Sequence, residues 1–483
     1  MFVLLEFVFL LILWTILVPI LVASLPVIIA LYLLRKIEAI ARSRTSSALP
    51  IRREDVLWLM PTTENQQIIS GVLEVDGYLP LDDFRKTVLE RLVNKTDAKG
   101  RNKIYPEVSM HIEPGLFDYY WQPDLEFNIS EHVSRYEGNP ISNSDHLRQI
   151  IGLHVSKPFA NKKKSPWEFM LIPHVNEFGN QKTVLLFRLS HAISDGSSLA
   201  YFLINVLADS PPNQGVIVKK TFTQTQKVLF YMKGLWYLPM VYIKIFVHSN
   251  DNNQIHRSKL STEKKVYWTK PLPLQLLKTV KTDLKSTIND ILVGCFAKAL
   301  NDHLNRDQND LKTDTVSAVF AVDTRSNVEQ AKIFRNHVAG VIAPLPNSGA
   351  STHDYISKSK RCFDQIKQVG APISLYFGWR FMSFLLPVAL LKFFVHHMVN
   401  KTTLCISNLI GPQYSITLCN LPIECVNFWP PPTGNEAMGV SFCSYDECIR
   451  MGVLADSNAL DDGDELISLF EENVSALEES VTV

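Results

Sequence analysis

Residues 184–203, VLLFRLSHAISDGSSLAYFL, carry the pattern from which both the fold and the chemistry of this chain follow. An apolar run typical of a buried strand ends at Ser190 and His191, and a second apolar run begins after a few small polar residues. The pattern predicts a strand, a turn and a helix that Ser194 or Asp195 caps. A histidine just past the end of a strand can point its ring into a cavity.

The spacing His191-x-x-x-Asp195-Gly196 is typical of a general base and the turn that holds it. An imidazole titrates near pH ~6.5, so it can accept a proton at neutral pH. We expect Asp195 to point away and fix the turn, and Gly196 to allow close backbone packing. A lone histidine is more often a satisfied structural residue than a catalyst, so this interpretation needs support from other motifs.

Composition and charge exclude two classes of protein. The chain has 483 residues, enough for two or three domains of about 150 residues each. Lys plus Arg and Asp plus Glu both number 48, so the chain lacks the basic excess that nucleic-acid binding requires, and we expect no nucleic acid partner. The seven cysteines form no Cys-x-x-Cys pair, which favours reduced thiols over a disulfide framework.

The N-terminal segment has the composition of a membrane anchor. Residues 7–34 contain no charged side chain, and a spanning helix needs about 20 apolar residues. A cleaved signal peptide usually has only ~7–15 apolar residues after positive charge, whereas Arg35 and Lys36 follow this run. We predict a single transmembrane anchor at 1–36 and a polar linker at 37–52. The basic residues place the body in the cytosol, at the endoplasmic reticulum, with the plasma membrane as the alternative.

Strand and helix patterns then alternate in two halves, which predicts an α/β (α+β) fold. We expect an N-terminal lobe at 53–210, a crossover at 211–264 and a C-terminal lobe at 265–483. The crossover begins at residues 211–217, called the breaker here because their prolines and glycine interrupt helices and strands.

Two further apolar stretches, 228–247 and 375–399, contain internal charges. Each charge would cost roughly 2.5–3.5 kcal/mol at the centre of a bilayer, so we favour helices that lie in the membrane plane. A pair of buried core helices is the alternative.

Four other stretches between residues 53 and 475 strengthen the interpretation of His191, because their order and spacing agree with the motifs of one known family. They are SPWEFMLI with Trp167, STINDILVGCFAKAL with Asn289 and Asp290, AVDTRSN with Arg325, and CISNLIGP with Ser407, Asn408 and Gly411. With these motifs the sequence resembles the wax ester synthase/acyl-CoA:diacylglycerol acyltransferase (WS/DGAT) family of the CoA-dependent acyltransferase superfamily. Two positions depart from that family: Ser190 replaces the first histidine of its His-His-x-x-x-Asp-Gly motif, and Arg335-Asn336 replaces a Gly-Asn pair.

The resemblance implies a two-lobed fold like that of chloramphenicol acetyltransferase, with a sheet flanked by helices in each lobe and a central tunnel. It also implies transfer of a long-chain acyl group from acyl-CoA to a fatty alcohol, giving a wax ester, or to diacylglycerol, giving triacylglycerol. His191 would be the general base in the tunnel. The expected partners are acyl-CoA, the acceptor alcohol and membrane lipid. Acyl-CoA is a substrate, and no cofactor or metal is expected.

The resemblance assigns further roles. Asn289 is the candidate donor to the developing oxyanion, with a helix-capping asparagine as the alternative. Asp195 would pair with Arg325, and Gly196 and Asp290 would support the site. The remaining candidates would lie along the tunnel or its loops, and they are Ser190, Trp167, Ser407, Asn408 and Gly411.

Three other functions deserve comparison. An acyltransferase-like protein that has lost catalysis and binds lipid is the main alternative, because Ser190 departs from the motif. A serine hydrolase is disfavoured because no Gly-x-Ser-x-Gly stretch occurs. A peptide-forming condensation domain is disfavoured because the chain has an anchor and no carrier domain.

Overall fold

The structure is a computed structural model, and it describes residues 2–176, 178–209, 223–306 and 315–481. The breaker predicted at 211–217 lies outside the described residues. The helices are α1 Phe2–Ser46, α2 Leu81–Val88, α3 Ser144–Val155, α4 Gly196–Phe202, α5 Gln224–Val247, α6 Gln254–Arg257, α7 Leu274–Asp283, α8 Ile288–Leu304, α9 Thr352–Gln368, α10 Ala371–Leu385, α11 Val388–Val399 and α12 Gly463–Val481. The strands are β1 Leu49–Pro50, β2 Ile68–Asp76, β3 Met110–Pro114, β4 Tyr119–Pro123, β5 Val133–Arg135, β6 Trp167–Val175, β7 Gln181–Ser190, β8 Lys264–Trp268, β9 Leu272–Pro273, β10 Ser317–Asp323, β11 Val338–Pro344, β12 Leu404–Ile410, β13 Thr417–Leu418, β14 Leu421–Trp429, β15 Met438–Tyr445 and β16 Cys448–Asp456.

Strand β7, which the apolar run before His191 predicts, lies inside a six-stranded sheet of the N-terminal lobe. The strand order is β13-β14-β2-β7-β6-β5. Strand β7 pairs antiparallel with β2 and β6 and is buried along most of its length, which explains its nearly continuous apolar sequence. A small sheet, β1-β4-β3, lies apart from this one.

The C-terminal lobe is built on a seven-stranded sheet in the order β11-β10-β12-β15-β16-β8, with β9 paired to β16. Strand β12 pairs parallel with β10 and with β15, and the other pairings are antiparallel. The core of this lobe joins the sheet to helices α8 and α12 through buried residues such as Phe296, Phe442 and Phe470.

The C-terminal half of the chain supplies strands to the N-terminal sheet, which the predicted boundary at 265 does not anticipate. Strands β13 and β14 come from the C-terminal half of the chain, yet β14 pairs with β2 in the N-terminal sheet. Val426 lies opposite Leu73, and Trp429 lies opposite Ser70. The strand therefore ties the lobes together next to the turn that carries His191, because β2 also pairs with β7.

The polar linker expected at 37–52 is mostly helical. Helix α1 continues to Ser46, and a 3-10 helix, Arg53–Leu59, follows the short strand β1. Glu38 and Arg42, one helical turn apart, form an ion pair of 3.2 Å that favours the helical extension. Among the described residues, α1 alone is long and apolar enough to cross a membrane.

The two charged apolar stretches form three helices with one buried and one exposed side. Residues 228–247 fall in α5, whereas 375–399 divide into α10 and α11 at Pro387, which begins a new helix. Their inner sides are buried, and their outer sides expose large apolar residues: Val228, Leu229, Tyr231, Met232 and Leu235 on α5, Phe377, Phe381 and Phe384 on α10, and Leu390 and Phe393 on α11. This set of exposed residues is called the apolar face below.

Helix α1 packs against α5 and against the end of α10. Near its beginning, the indole nitrogen of Trp14 donates to the backbone oxygen of Trp236 in α5 at 3.1 Å. Near its end, the Arg35 guanidinium donates to the backbone oxygens of Phe384 (2.7 Å) and Leu386 (3.0 Å) at the end of α10. Helix α1 thus lies alongside helices α5 and α10.

Candidate active site

The turn after β7 has the form that its sequence predicts. The backbone N–H of His191 donates to Gln67 O at 3.1 Å, and Ile193 N–H donates to Ser190 O at 3.0 Å. Asp195, rather than Ser194, caps α4, since its Oδ1 accepts from Ser198 N–H at 3.0 Å. The Ser190 hydroxyl accepts from the Ala192 N–H at 3.3 Å. Ser190 therefore shapes the turn, and it is not on the described walls of the cavities discussed below.

The expected pairing of Asp195 with Arg325 is present. The Nη2 of Arg325 donates to Asp195 Oδ1 at 2.8 Å and to Ser198 Oγ at 2.6 Å. The second carboxylate oxygen of Asp195 accepts from the His337 N–H at 2.7 Å. Both charged groups are buried. Because both oxygens of Asp195 are engaged, this carboxylate holds the turn and the two lobes together and is not free to bind a substrate.

The orientation of the His191 ring follows from Asn336. The Nδ2 of Asn336 donates to Asp55 Oδ1 at 3.0 Å and to the backbone oxygen of His191 at 2.9 Å. The Oδ1 of the same amide therefore faces His191 Nδ1, at 3.0 Å. An amide oxygen can only accept, so Nδ1 carries the proton and Nε2 keeps a lone pair. Trp58 stacks on the ring, with centroids 3.5 Å apart and planes 11° apart.

Burial makes His191 a neutral group. Its side chain is enclosed, and loss of water lowers the pKa of His191 to about 4, a shift that the nearby Asp195 carboxylate only partly opposes. At neutral pH the imidazole is unprotonated at Nε2, which is the state that a general base requires.

Three neighbouring cavities surround the turn. The helix cavity, the largest of the three, lies between His191 and helices α5, α10 and α11, and its wall includes Trp58, Tyr242, Leu375, Trp379, Val395 and Met398. The central cavity has His191, Ser407 and Asn408 on its wall. The sheet cavity lies between α4 and the strands β2, β12, β14 and β15, and apolar side chains dominate its wall.

The cavities form a series, and His191 lies where the helix cavity meets the central cavity. The helix and central cavities share five wall residues, which are His191, Ala321, Val338, Pro430 and Pro431. The central and sheet cavities share Ile69, Gly196, Leu409 and Phe428. His191 is only 8% exposed, yet it lies on the walls of two cavities.

Gly196 stands where two cavities meet. A Cβ atom there would lie 3.4 Å from the nearest Leu409 carbon, an ordinary contact distance. Close backbone packing, the reason expected from the sequence, is therefore not what this glycine provides. Its missing side chain leaves room at the junction of the central and sheet cavities. Gly411 is different, because its Cβ would approach Ser444 O to 2.3 Å, and it lines the sheet cavity.

Trp167 is not a tunnel residue. It is 2% exposed, its indole N–H donates to Val108 O at 2.8 Å, and its ring stacks on His132 at 4.4 Å. The side chain belongs to the core of the N-terminal lobe, since it lies on the face of β6 that packs inward.

Asn289 and Asp290 lie at the start of α8, behind the cavity wall. Thr287 is the cap of this helix, and Asp290 completes a capping box with it, so Asp290 stabilises the helix. Asn289 is therefore not the cap of α8, and it is not on the described wall of the central cavity. Its Oδ1 accepts from the Nδ2 of Asn408 at 3.3 Å, and the amide on the wall is that of Asn408.

Sequence reasoning missed Asp55 and Trp58, and it gave no role to Asn336. The stretch Asp55-Val56-Leu57-Trp58 has a spacing that places its first and last side chains on one side of a helical turn. That spacing was a usable signal, although nothing in it indicates the partner. Within the described residues, no group of three or more His, Cys, Asp or Glu side chains is arranged to hold a metal ion.

Comparisons with known proteins agree with this architecture. The model of the WS/DGAT C-terminal domain matches residues 335–478. Wax ester synthase/diacylglycerol acyltransferase 11 from Arabidopsis thaliana is 22% identical over 383 residues, which cover 69% of this chain and 77% of the relative. The wax ester synthase/diacylglycerol acyltransferase from Marinobacter aquaeolei VT8 has a TM-score of 0.61 at 15% identity, covering 90% of this chain and 100% of that one.

A second solved structure has the same fold. The TRI3 trichothecene 15-O-acetyltransferase from Fusarium sporotrichioides has a TM-score of 0.59 at 12% identity and covers 90% of this chain and 95% of that chain. The predicted two-lobed α/β fold is confirmed by these matches, each of which covers 90% of this chain.

Proposed function

We propose that the chain is a membrane-bound O-acyltransferase of the wax ester synthase/diacylglycerol acyltransferase family, on the basis of its similarity to the C-terminal domain model and to the relatives described above. It transfers a long-chain acyl group from acyl-CoA to a fatty alcohol, to diacylglycerol or to both. The observation that carries the proposal is the neutral His191 ring between two cavities, with Nδ1 bound to Asn336 and Nε2 left to accept a proton.

In the proposed reaction, Nε2 of His191 removes the hydroxyl proton of the acceptor as the oxygen attacks the thioester carbonyl. The C–S bond then breaks, and the imidazolium returns the proton to the departing CoA sulfur. A positioned base of this kind contributes typically ~10²–10⁴-fold to the rate. Burial disfavours the imidazolium, so the proton is passed on readily. Acyl-CoA is a substrate in this scheme, and no resident cofactor is needed.

We assign Asn408 as the donor to the developing oxyanion, with Asn289 as the residue that orients it. Asn408 lies on the wall of the central cavity together with His191. Its amide donates one hydrogen to Asn289 Oδ1, which leaves a second hydrogen for the oxyanion. A donor held in place before the reaction stabilises the charge that develops in the transition state.

The sheet and helix cavities, on either side of the central cavity, suit the two hydrocarbon chains. We place the acyl chain in the sheet cavity, because its wall is made almost wholly of apolar side chains. The acceptor chain occupies the helix cavity, which lies beneath the helices that carry the apolar face. The thioester carbonyl and the hydroxyl then meet in the central cavity beside His191.

The apolar face and α1 support attachment to a membrane. Both expose large apolar side chains on neighbouring helices, and they are joined through Trp14 and Arg35. Exposed apolar areas of this extent mark an interaction surface, and a bilayer would also hold the acceptor alcohol. The basic residues after the apolar run favour a cytosolic body, and we propose the endoplasmic reticulum as the membrane.

The test is a panel of acceptors with membranes from cells that make the full-length protein. Labelled long-chain acyl-CoA is supplied with fatty alcohols, diacylglycerol and monoacylglycerol, and labelled neutral lipids are separated and counted. We expect wax ester, triacylglycerol or both above the level of membranes without the protein. Equal labelling in the two membrane preparations for every acceptor would contradict the proposal.

A further inference from the structure

We propose that Asp55 is a positioning residue for His191 and acts through the side-chain amide of Asn336. The inference rests on the proposed function and adds to it the group that fixes the tautomer of the base. Asp55 lies 136 positions before His191 in the sequence, outside the family motifs used above, and it has no direct hydrogen bond to the ring among the described contacts.

The argument starts from the two ways in which the Asn336 amide can be placed. In the observed orientation, its NH₂ group faces Asp55 and its oxygen faces His191 Nδ1. A half-turn of the amide would present NH₂ to Nδ1, which would then have to accept. The proton of the neutral ring would move to Nε2, and no lone pair would remain for the acceptor hydroxyl.

Asp55 opposes that half-turn together with the backbone oxygen of His191, since both accept from Asn336 Nδ2, at 3.0 Å and 2.9 Å. The turned amide would instead bring its own oxygen against Oδ1 of Asp55. Asp55 is buried, so water cannot replace the lost bond. Its other oxygen lies 2.8 Å from the guanidinium of Arg52, which keeps a compensating charge beside the carboxylate.

The 3-10 helix that carries Asp55 is itself held firmly. The guanidinium of Arg53 donates to the backbone oxygens of Ser383 (2.7 Å) and Leu386 (2.5 Å) at the end of α10. The indole N–H of Trp379 donates to the backbone oxygen of Glu54 at 2.9 Å. The same helix presents Trp58 to the face of the His191 ring. One short segment therefore fixes both the plane and the tautomer of the imidazole.

The test compares variants of the full-length protein purified in detergent, with kcat and KM measured for acyl-CoA and for the preferred acceptor. We expect Asp55→Leu to lower kcat ~10–100-fold, the effect typical of losing a residue that orients a functional histidine, and to leave both KM values within about twofold. Asp55→Asn keeps an oxygen that can accept from Asn336, so it should recover most of the rate. Glu54→Leu removes the neighbouring carboxylate, which faces Arg380, and should leave kcat unchanged.

A double variant separates this role from a general effect on folding. Asp55→Leu and Asn336→Leu break the same series of hydrogen bonds. The kcat of the double variant should therefore be little lower than that of the slower single variant. Thermal unfolding identifies variants that do not fold, and Asp55→Ala replaces Asp55→Leu if the larger side chain is not tolerated. A normal kcat in a folded Asp55→Leu or Asp55→Ala protein would overturn the inference. So would an Asp55→Asn protein whose kcat is no higher than theirs, or losses of kcat that multiply in the double variant. An inactive wild-type protein would instead contradict the proposed function.

Discussion

The Nδ1 atom of His191 lies 3.0 Å from the Oδ1 atom of Asn336, a residue 145 positions later in the chain. This contact leaves Nε2 as the basic nitrogen. It also joins the lobes at the reacting centre, because His191 follows the N-terminal sheet and Asn336 precedes β11 of the C-terminal sheet.

The buried position of His191 predicts an unusual pH profile. Burial lowers the pKa of His191 to about 4, so the ring stays unprotonated well below the ordinary histidine range. The pKa of Asp55 is raised to about 7 by burial, but a protonated Asp55 still has an oxygen that accepts from Asn336. We therefore expect kcat/KM to change little between pH 7.5 and 5.5. An acid limb centred near pH ~6.5, the value of an exposed imidazole, would contradict this assignment.

The buried pair of Asp195 and Arg325 predicts a large loss of stability when one partner is removed. Asp195→Ala removes one of the two carboxylates that face the buried Arg325 guanidinium, the other being Asp323, and breaking a buried pair costs up to about 3–5 kcal/mol. The measurement is thermal or denaturant unfolding in detergent. Lys278→Ala, which breaks an exposed pair with Glu447, is the matched control and should cost less than about 1 kcal/mol. Similar losses in the two variants would show that the buried pair is not a structural link.

The division of the two chains between cavities predicts separate effects on specificity. Ala200 lines the sheet cavity, and Ala339 lines the helix cavity. We expect Ala200→Leu to shorten the preferred acyl chain and Ala339→Leu to shorten the preferred alcohol. The ratio of kcat/KM for medium and long chains, measured in each series, checks both expectations. If Ala200→Leu shortened the preferred alcohol and Ala339→Leu the preferred acyl chain, the assignment would be reversed. If both variants changed the preference for the same substrate, separate cavities for the two chains would be contradicted.

Local pattern was sufficient to predict the turn that carries the base. The apolar run, Asp195 and the following helix lie within twenty residues, and each obeys a local rule for strands, caps or helices. The link from Asp195 to Arg325 came from a recognised set of motifs, because its partners are 130 positions apart. Contacts of that range leave no trace in the local pattern of a sequence.

The features that sequence reasoning missed depend on long-range packing. Asp55 and Asn336 are 281 positions apart, and β14 crosses from the C-terminal half to pair with β2. Trp167 shows the opposite error, since its place in a family motif indicated a tunnel, whereas the side chain completes the core. A motif identifies residues that matter, but only the fold distinguishes the wall of a cavity from the layer behind it.

If α1 spans the membrane and the apolar face lies on it, the full-length protein should bind as an integral membrane protein, and a protein without α1 should bind peripherally. The full-length protein should stay with membranes after washing with alkaline carbonate, because α1 is long and apolar enough to span. A variant that lacks residues 2–34 keeps the exposed apolar side chains of α5, α10 and α11, so it should still bind membranes but be removed by carbonate. Release of the full-length protein by carbonate would contradict a spanning anchor.

The role of His191 itself is measured by acyl transfer in His191→Ala protein against His146→Ala protein, in which an exposed histidine on α3 is lost. Both variants are purified in detergent, shown to be folded, and assayed with the preferred acyl-CoA and acceptor. We predict that His191→Ala lowers kcat by ~10²–10⁴-fold, the contribution of a general base, and that His146→Ala retains the wild-type rate. A folded His191→Ala protein that transfers acyl groups at the wild-type rate would contradict the account.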